Sequence, residues 1–208
     1  MHAVLDTPEC SRMLRTLQII VGAMIVGVVA FSIIVLCLPP RAPTSSPFQG
    51  LLLAIGVVFT LVEQVIGGLV TRAILSGARR GIAAGRQKPT EGQRAFSPVS
   101  LFLPGAGLGR TRKQPFDEVF LERNGDAGRL CAEFHRLTII NAALLEGPAF
   151  FMLIAQQMEP HWGNLVVVGM LLGGLLLRIP TRAGLERWLG EQLRVVEDLR
   201  AARPLAAD

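Results

Sequence analysis

Two carboxylates, Glu63 and Glu146, stand inside otherwise apolar stretches of this chain. Such an acid is costly to ionise, and within a membrane-crossing segment it often marks a proton or ion pathway. Two carboxylates in a low-dielectric region cannot both ionise cheaply, so together they would support proton sharing or cation coupling. With Asn141 they form a candidate intramembrane proton or ion site. The opposing reading is structural. Each acid would be neutral and hydrogen-bonded across helices to Gln64, Asn141, Thr60 or a backbone carbonyl. No Lys or Arg stands in the interior of these stretches as a counter-ion, which favours the structural reading.

The elements that must position these acids are apolar blocks. The chain has 208 residues, half of them hydrophobic, and 18% of them charged, below the quarter usual in soluble domains. Between Arg15 and Arg41 lie 25 residues without a charge, and about 20 suffice for a helix to cross a hydrocarbon core. Three further blocks follow, at 50–71 with Glu63, at 137–158 with Glu146, and at 162–179 with Arg178 near its end. Four such blocks in so short a chain leave nothing to cover them in water. The expected fold is an all-α membrane protein with four transmembrane helices, at 16–38, 50–71, 137–158 and 162–179. The first block is too long for a secretory signal and exits through Leu38-Pro39-Pro40-Arg41, so it reads as a retained anchor.

Levels follow from helix rise. Glu63 lies about 12 Å from the end of its span that faces the 72–136 loop, and Glu146 about 14 Å from the end of its own. The two spans run in opposite directions, yet the acids reach one level and would meet if the helices are neighbours.

Basic residues orient the spans. Two lie in the 1–15 tail, one in the 39–49 loop, twelve in the 72–136 segment, none in the 159–161 turn and six from Arg178 onward. An alternating arrangement places all but Arg41 on one side. That predicts an inner-membrane, multi-pass protein with both termini cytoplasmic. The pI near 10 then records membrane orientation, and no nucleic-acid partner is implied. The 39–49 and 159–161 connections are too short for an external domain. Cys10, Cys37 and Cys131 are expected as free thiols.

The 72–136 segment begins by continuing the second helix. Its middle is rich in Gly, Pro and polar residues and reads as flexible. Its end shows helical spacing at Phe116, Val119 and Phe120, a break at Asn124-Gly125, and renewed spacing at Leu130, Phe134 and Leu137. Pro180-Thr181 restarts the chain, Thr181 as a cap. Over 181–203 an amphipathic helix carries Leu185, Trp188, Leu189, Leu193, Val196 and Leu199 on one stripe. That stripe would either lie in the membrane interface or pack on the loop or on a second copy. Pro148 should free a carbonyl near Leu144 and kink its helix. The pairs Ala143/Gly147 and Gly169/Gly173 permit close helix approach.

Other candidates for chemistry are weaker. GAGLGRTRK at 105–113 lacks the spacing of a phosphate loop. Its Arg110, Arg112 and Lys113, with Arg79, Arg80 and Arg86, are candidate contacts to anionic lipid headgroups. Cys131 and His135 are four apart, but two ligands do not make a zinc site. His161 and Trp162 read as interface anchors. No nucleophile triad or HExxH stands in the sequence, so no catalytic residue, metal or cofactor is assigned.

Three stretches resemble a group of small uncharacterised membrane proteins of planctomycete-type bacteria: RTLQIIVGAMIVG (15–27), LTIINAALLEGPAFFMLIA (137–155) and RIPTRAGLERWLGEQL (178–193). The resemblance implies topology and origin, with no activity attached, and makes Met13 a candidate start. AALLEG (142–147) is locally similar to the proteolipid subunit of rotary ATPases, which would make Glu146 a proton carrier. Four spans, the long loop and the lack of a glycine ladder depart from that family. The expected function is a non-enzymatic accessory, assembly or scaffold role. Its partners would be the lipid bilayer and a second copy or another membrane protein. The alternative is a proton- or cation-coupled translocator using Glu63 and Glu146.

Overall fold

The computed structural model describes residues 7–39, 50–85 and 118–202. They form five helices: α1 (Pro8–Cys37), α2 (Leu51–Ala83), α3 (Glu118–Met158), α4 (Trp162–Leu177) and α5 (Arg182–Ala201). No strand occurs among the described residues. The end holding the α3–α4 turn is called distal here, and the opposite end, where α5 lies, basal.

Each helix start has a local cause. Thr7 caps α1, its hydroxyl accepting from the Cys10 amide at 3.4 Å, and Pro8 follows in the first turn. Thr181 caps α5 in the same way, through the Gly184 amide at 3.1 Å. His161 caps α4, its Nδ1 accepting from the Gly163 amide at 3.0 Å. Helix α2 begins after Gly50, whose φ of 89° suits glycine and supplies no capping side chain. Its orphan amides are served from elsewhere: Leu52 N–H donates to a Glu159 carboxylate oxygen at 3.2 Å. A carboxylate there also complements the positive end of the helix dipole.

Helix α3 is the hub. It packs against α1, α2, α4 and α5, whereas α1 and α2 have no extended packing against each other. The buried positions of α1, Leu17, Val21, Val28 and Val35, lie on one seam at three-four and seven-residue spacing. Val21, Val28 and Val35 meet Ala142, Ala149, Met152 and Leu153 of α3 and Val168, Leu171 and Leu175 of α4. A second cluster lies at the basal end and joins Cys10, Met13 and Leu17 to Ile82, Phe120, Leu130, Cys131, Leu185, Leu189 and Val196.

Outside these seams the surface is apolar. Ile19, Trp162, Met170 and Leu177 are more than two-thirds exposed, and α2 turns a long row of Leu, Val and Ile outward. Water would not tolerate so continuous an apolar face. Helices α1, α2 and the part of α3 from Arg123 are each long and apolar enough to cross a membrane. Helix α4 has 16 residues and passes the same test together with α5, from which it is bent by 74°.

Two features of α3 and α5 bear on the sequence expectations. At Gly125 α3 leaves helical geometry (φ 50°, ψ −128°), where Asn124-Gly125 interrupts the helical spacing. The stripe of α5 is covered by protein except at Leu199, which is exposed. Leu185, Leu189 and Val196 are buried, Trp188 stacks edge-on against Phe134 with ring centres 5.2 Å apart, and Arg200 pairs with Asp126 at 2.6 Å. Of the two placements open for this helix, packing within the chain is the one found.

Helix α2 approaches α3 through glycines. A Cβ on Gly67 would lie 2.4 Å from a Leu144 methyl, and one on Gly56 would lie 2.2 Å from the Met152 sulfur. Gly68, one residue on, faces open space. We therefore expect Gly67→Val to lower stability by about 1–3 kcal/mol through overpacking, while Gly68→Val stays within about 0.5 kcal/mol. Denaturant titration of the detergent-solubilised protein checks the difference.

Candidate functional site

The two acids are brought onto the same part of α3. Glu146 projects from α3 toward α1, and its Oε1 lies 4.0 Å from where a Cβ on Gly27 would stand. Glu63 reaches from α2 across the next residue of α3, and its two oxygens lie 3.9 and 4.0 Å from the Cβ position of Gly147. The two carboxyls therefore lie against neighbouring positions of α3, one on its α1 side and one on its α2 side, and α1 and α2 have no extended packing between them. Gly147 itself is exposed.

The common level has a simple origin. Glu63 stands twelve residues after the first residue of α2, and Glu146 twelve before the last residue of α3. Those two ends are drawn together by the Glu159 cap on α2. Equal rise then sets both acids about 18 Å below the distal end.

The groups named as partners for these acids are engaged elsewhere. Thr60 donates to the Gly56 carbonyl of its own helix at 2.8 Å. Asn141 accepts from the Thr71 hydroxyl at 3.3 Å, which ties α2 to α3 on the basal side of Glu146. Gln64 donates to the Leu144 carbonyl at 3.2 Å. That carbonyl is the one which Pro148 leaves without its usual helical donor, since proline has no N–H. Gln64 thus mends from α2 the break that proline makes in α3. Among the described residues no hydrogen bond joins Glu63 to Glu146, and Glu63 Oε2 is buried with no partner. Chemically, the two acids offer protonatable carboxyls in an apolar setting, with no ion pair to either among the described residues.

The basic candidates divide. Arg79 turns inward and donates from Nε to Gln192 Oε1 at 2.7 Å, with a second bond from its terminal nitrogen to the same oxygen. Gln192 is itself buried, so Arg79 joins α2 to α5. This differs from the headgroup contact expected of it, because the α5 stripe brings a buried amide within its reach. Arg80 donates to the Ser76 carbonyl of its own helix at 3.2 Å and is exposed. Arg86, Arg110, Arg112 and Lys113 lie outside the described residues. The Gly169/Gly173 pair of α4 faces open space, so it mediates no packing within the chain.

Several polar roles have no local signal in the sequence. Asn164 is fully buried and donates to Gln156 Oε1 at 3.3 Å and to the Glu159 carbonyl at 3.1 Å. Gln157 donates to the Val35 carbonyl of α1, and Gln18 of α1 to the Pro180 carbonyl at 3.0 Å. These amides bind helix ends to one another. Only Asn164, a polar residue early in an apolar block, could have been singled out beforehand.

The pairing of Gln64 with the proline-freed carbonyl has a measurable consequence. Gln64→Leu should cost about 1 kcal/mol in the native chain. In a Pro148→Ala background, where the restored N–H reaches the Leu144 carbonyl, the same change should cost almost nothing. A double-mutant cycle on detergent-solubilised protein gives the coupling. Comparison of the chain with protein-family models, curated proteins and solved structures finds no match in any of them.

Proposed function

We propose that this protein is a four-span inner-membrane protein with both termini cytoplasmic, serving as a non-enzymatic accessory or scaffold through its basal face. The observation that carries the reading is the basal cluster. There the ends of α1, α2 and α3 and the whole of α5 close around their own apolar core, pinned by Arg79–Gln192 and Arg200–Asp126. A preformed platform at one end, with a three-residue turn as the α3–α4 connection at the other, suits a protein that acts on one side of its membrane. The outward face of α5 carries Arg187, Glu191, Arg194 and Asp198, all exposed, at spacings that align them on one strip.

Four spans are supported by the geometry of α4. The short distal turn sends it back along α3, and Val168, Leu171 and Leu175 pack into the same cluster as Val21, Val28 and Val35 of α1. It covers about 24 Å, and a short span is accommodated by local thinning of the bilayer and by anchors at its ends. Trp162 and Arg178 stand at those ends. The positive-inside count then puts the basal end in the cytoplasm.

A second reading, proton or cation coupling at Glu63 and Glu146, is favoured by one observation: the buried, partnerless Glu63 Oε2. Two measurements separate the readings. A photo-cross-linking residue at position 187 or 191, in native membranes, should give a discrete adduct with another membrane protein, lost when Arg194 and Asp198 on the same strip are both changed to alanine. Liposomes holding the purified protein and a pH-sensitive dye should show no flux above empty liposomes. Flux abolished by Glu146→Gln would replace the scaffold reading with the coupling one.

A further inference from the structure

Cys10 and Cys131 are 121 positions apart, yet the fold buries both in the basal cluster, near enough for each thiol to alter the acidity of the other. Both are buried, at 2% and 0% exposure, within the basal cluster, and neither is in a disulfide. They lie outside the charge-free stretches read as membrane-spanning. The third cysteine, Cys37, is exposed at the far end of α1 and has no part in the pair.

We propose that Cys10 and Cys131 form a redox modification site, in which a hydroperoxide converts the thiol pair to a disulfide that staples the start of α1 to α3. Three features make Cys10 the attacking thiol. It is the third residue of α1, where the unpaired amides of a helix N-terminus favour a thiolate. The neighbouring Cys131 thiol holds the Cys10 thiol below its usual range against the opposing effect of burial, with the positive charge of Arg182 acting in the same direction as Cys131. Cys131, beside Cys10 and in a more deeply buried position, is held well above the ordinary thiol range. The pair is therefore asymmetric, with one sulfur to be oxidised first and one to resolve the product.

The steps balance with hydrogen peroxide as the oxidant. The Cys10 thiolate attacks one peroxide oxygen. An S–O bond forms, the O–O bond breaks, and the departing hydroxide takes a proton from solvent to leave as water. The sulfur of Cys131 then attacks the Cys10 sulfur, its thiol proton passing to the departing oxygen. The S–S bond forms, the S–O bond breaks and a second water leaves. Two electrons pass from the two sulfurs to the peroxide. A small dithiol reverses the change by two successive thiol–disulfide exchanges. The first turn of α1, held by the Thr7 cap, is the element that opens to admit the oxidant, since helix ends open at the least cost.

The test uses the full chain with Cys37→Ser, purified in detergent. After hydrogen peroxide treatment, denaturation and labelling with a maleimide–polyethylene glycol, the reduced protein should gain two labels and the oxidised protein none. Digestion without reductant should yield one linked peptide pair carrying Cys10 and Cys131, from protein that migrates as a monomer. Dithiothreitol should restore both labels. A Cys10→Ser or Cys131→Ser chain should keep its one remaining thiol from intramolecular linkage, and Cys131→Ser should accumulate sulfenic acid at Cys10, read by dimedone. Retention of both labels after peroxide would overturn the proposal. So would loss of label through sulfinic acid at Cys10, or through linkage between two chains. The linked-peptide result on the Cys37→Ser chain decides the matter even where a further cysteine variant fails to fold.

Discussion

The packing of four helices on α3 is the interaction on which the rest of the structure rests. Lipid tails are as apolar as leucine side chains, so burial alone does not hold helices together in a bilayer. Close contact and polar bonds must do so. Helix α3 has both. Small residues, Ala142 and Ala149, lie buried on it, and glycines of α2, Gly56 and Gly67, let Met152 and Leu144 come up against the α2 backbone. Its length carries it from the distal turn to the basal cluster, so one helix serves both cores.

Backbone satisfaction shows the same economy. An unpaired carbonyl or amide in lipid costs several kcal/mol, and this chain repairs its defects from neighbouring helices. Gln64 covers the carbonyl that Pro148 frees, Glu159 caps α2 where Gly50 offers no side chain, and Gln157 and Gln18 reach carbonyls at Val35 and Pro180. Each repair also fastens two helices. Gln64, one of the side chains open to the two acids, is taken by such a duty, and Glu63 keeps a buried carboxyl oxygen without a partner.

How much of this was legible in the sequence depends on range. The apolar blocks, the break at Gly125, the cap at Thr181 and the equal depth of Glu63 and Glu146 all follow from residues close in the chain. Charge depletion, helical period and rise act locally, so they can be read locally. The freed carbonyl at Leu144 also follows from Pro148 alone. Which side chain would claim it does not, because Gln64 lies eighty positions away.

By itself, then, the sequence determined a chain of long apolar helices with two acids at one level. Hydropathy and helix geometry require no knowledge of neighbours. Only the tertiary structure decided that α3 is the hub, that most of the α5 stripe is covered by protein, that Arg79 turns to Gln192, and that Cys10 and Cys131 share one buried cluster. Those outcomes depend on which faces come together. Apolar faces look alike in sequence, and the choice among them is made by shape, through a few glycines and alanines at which backbones can approach.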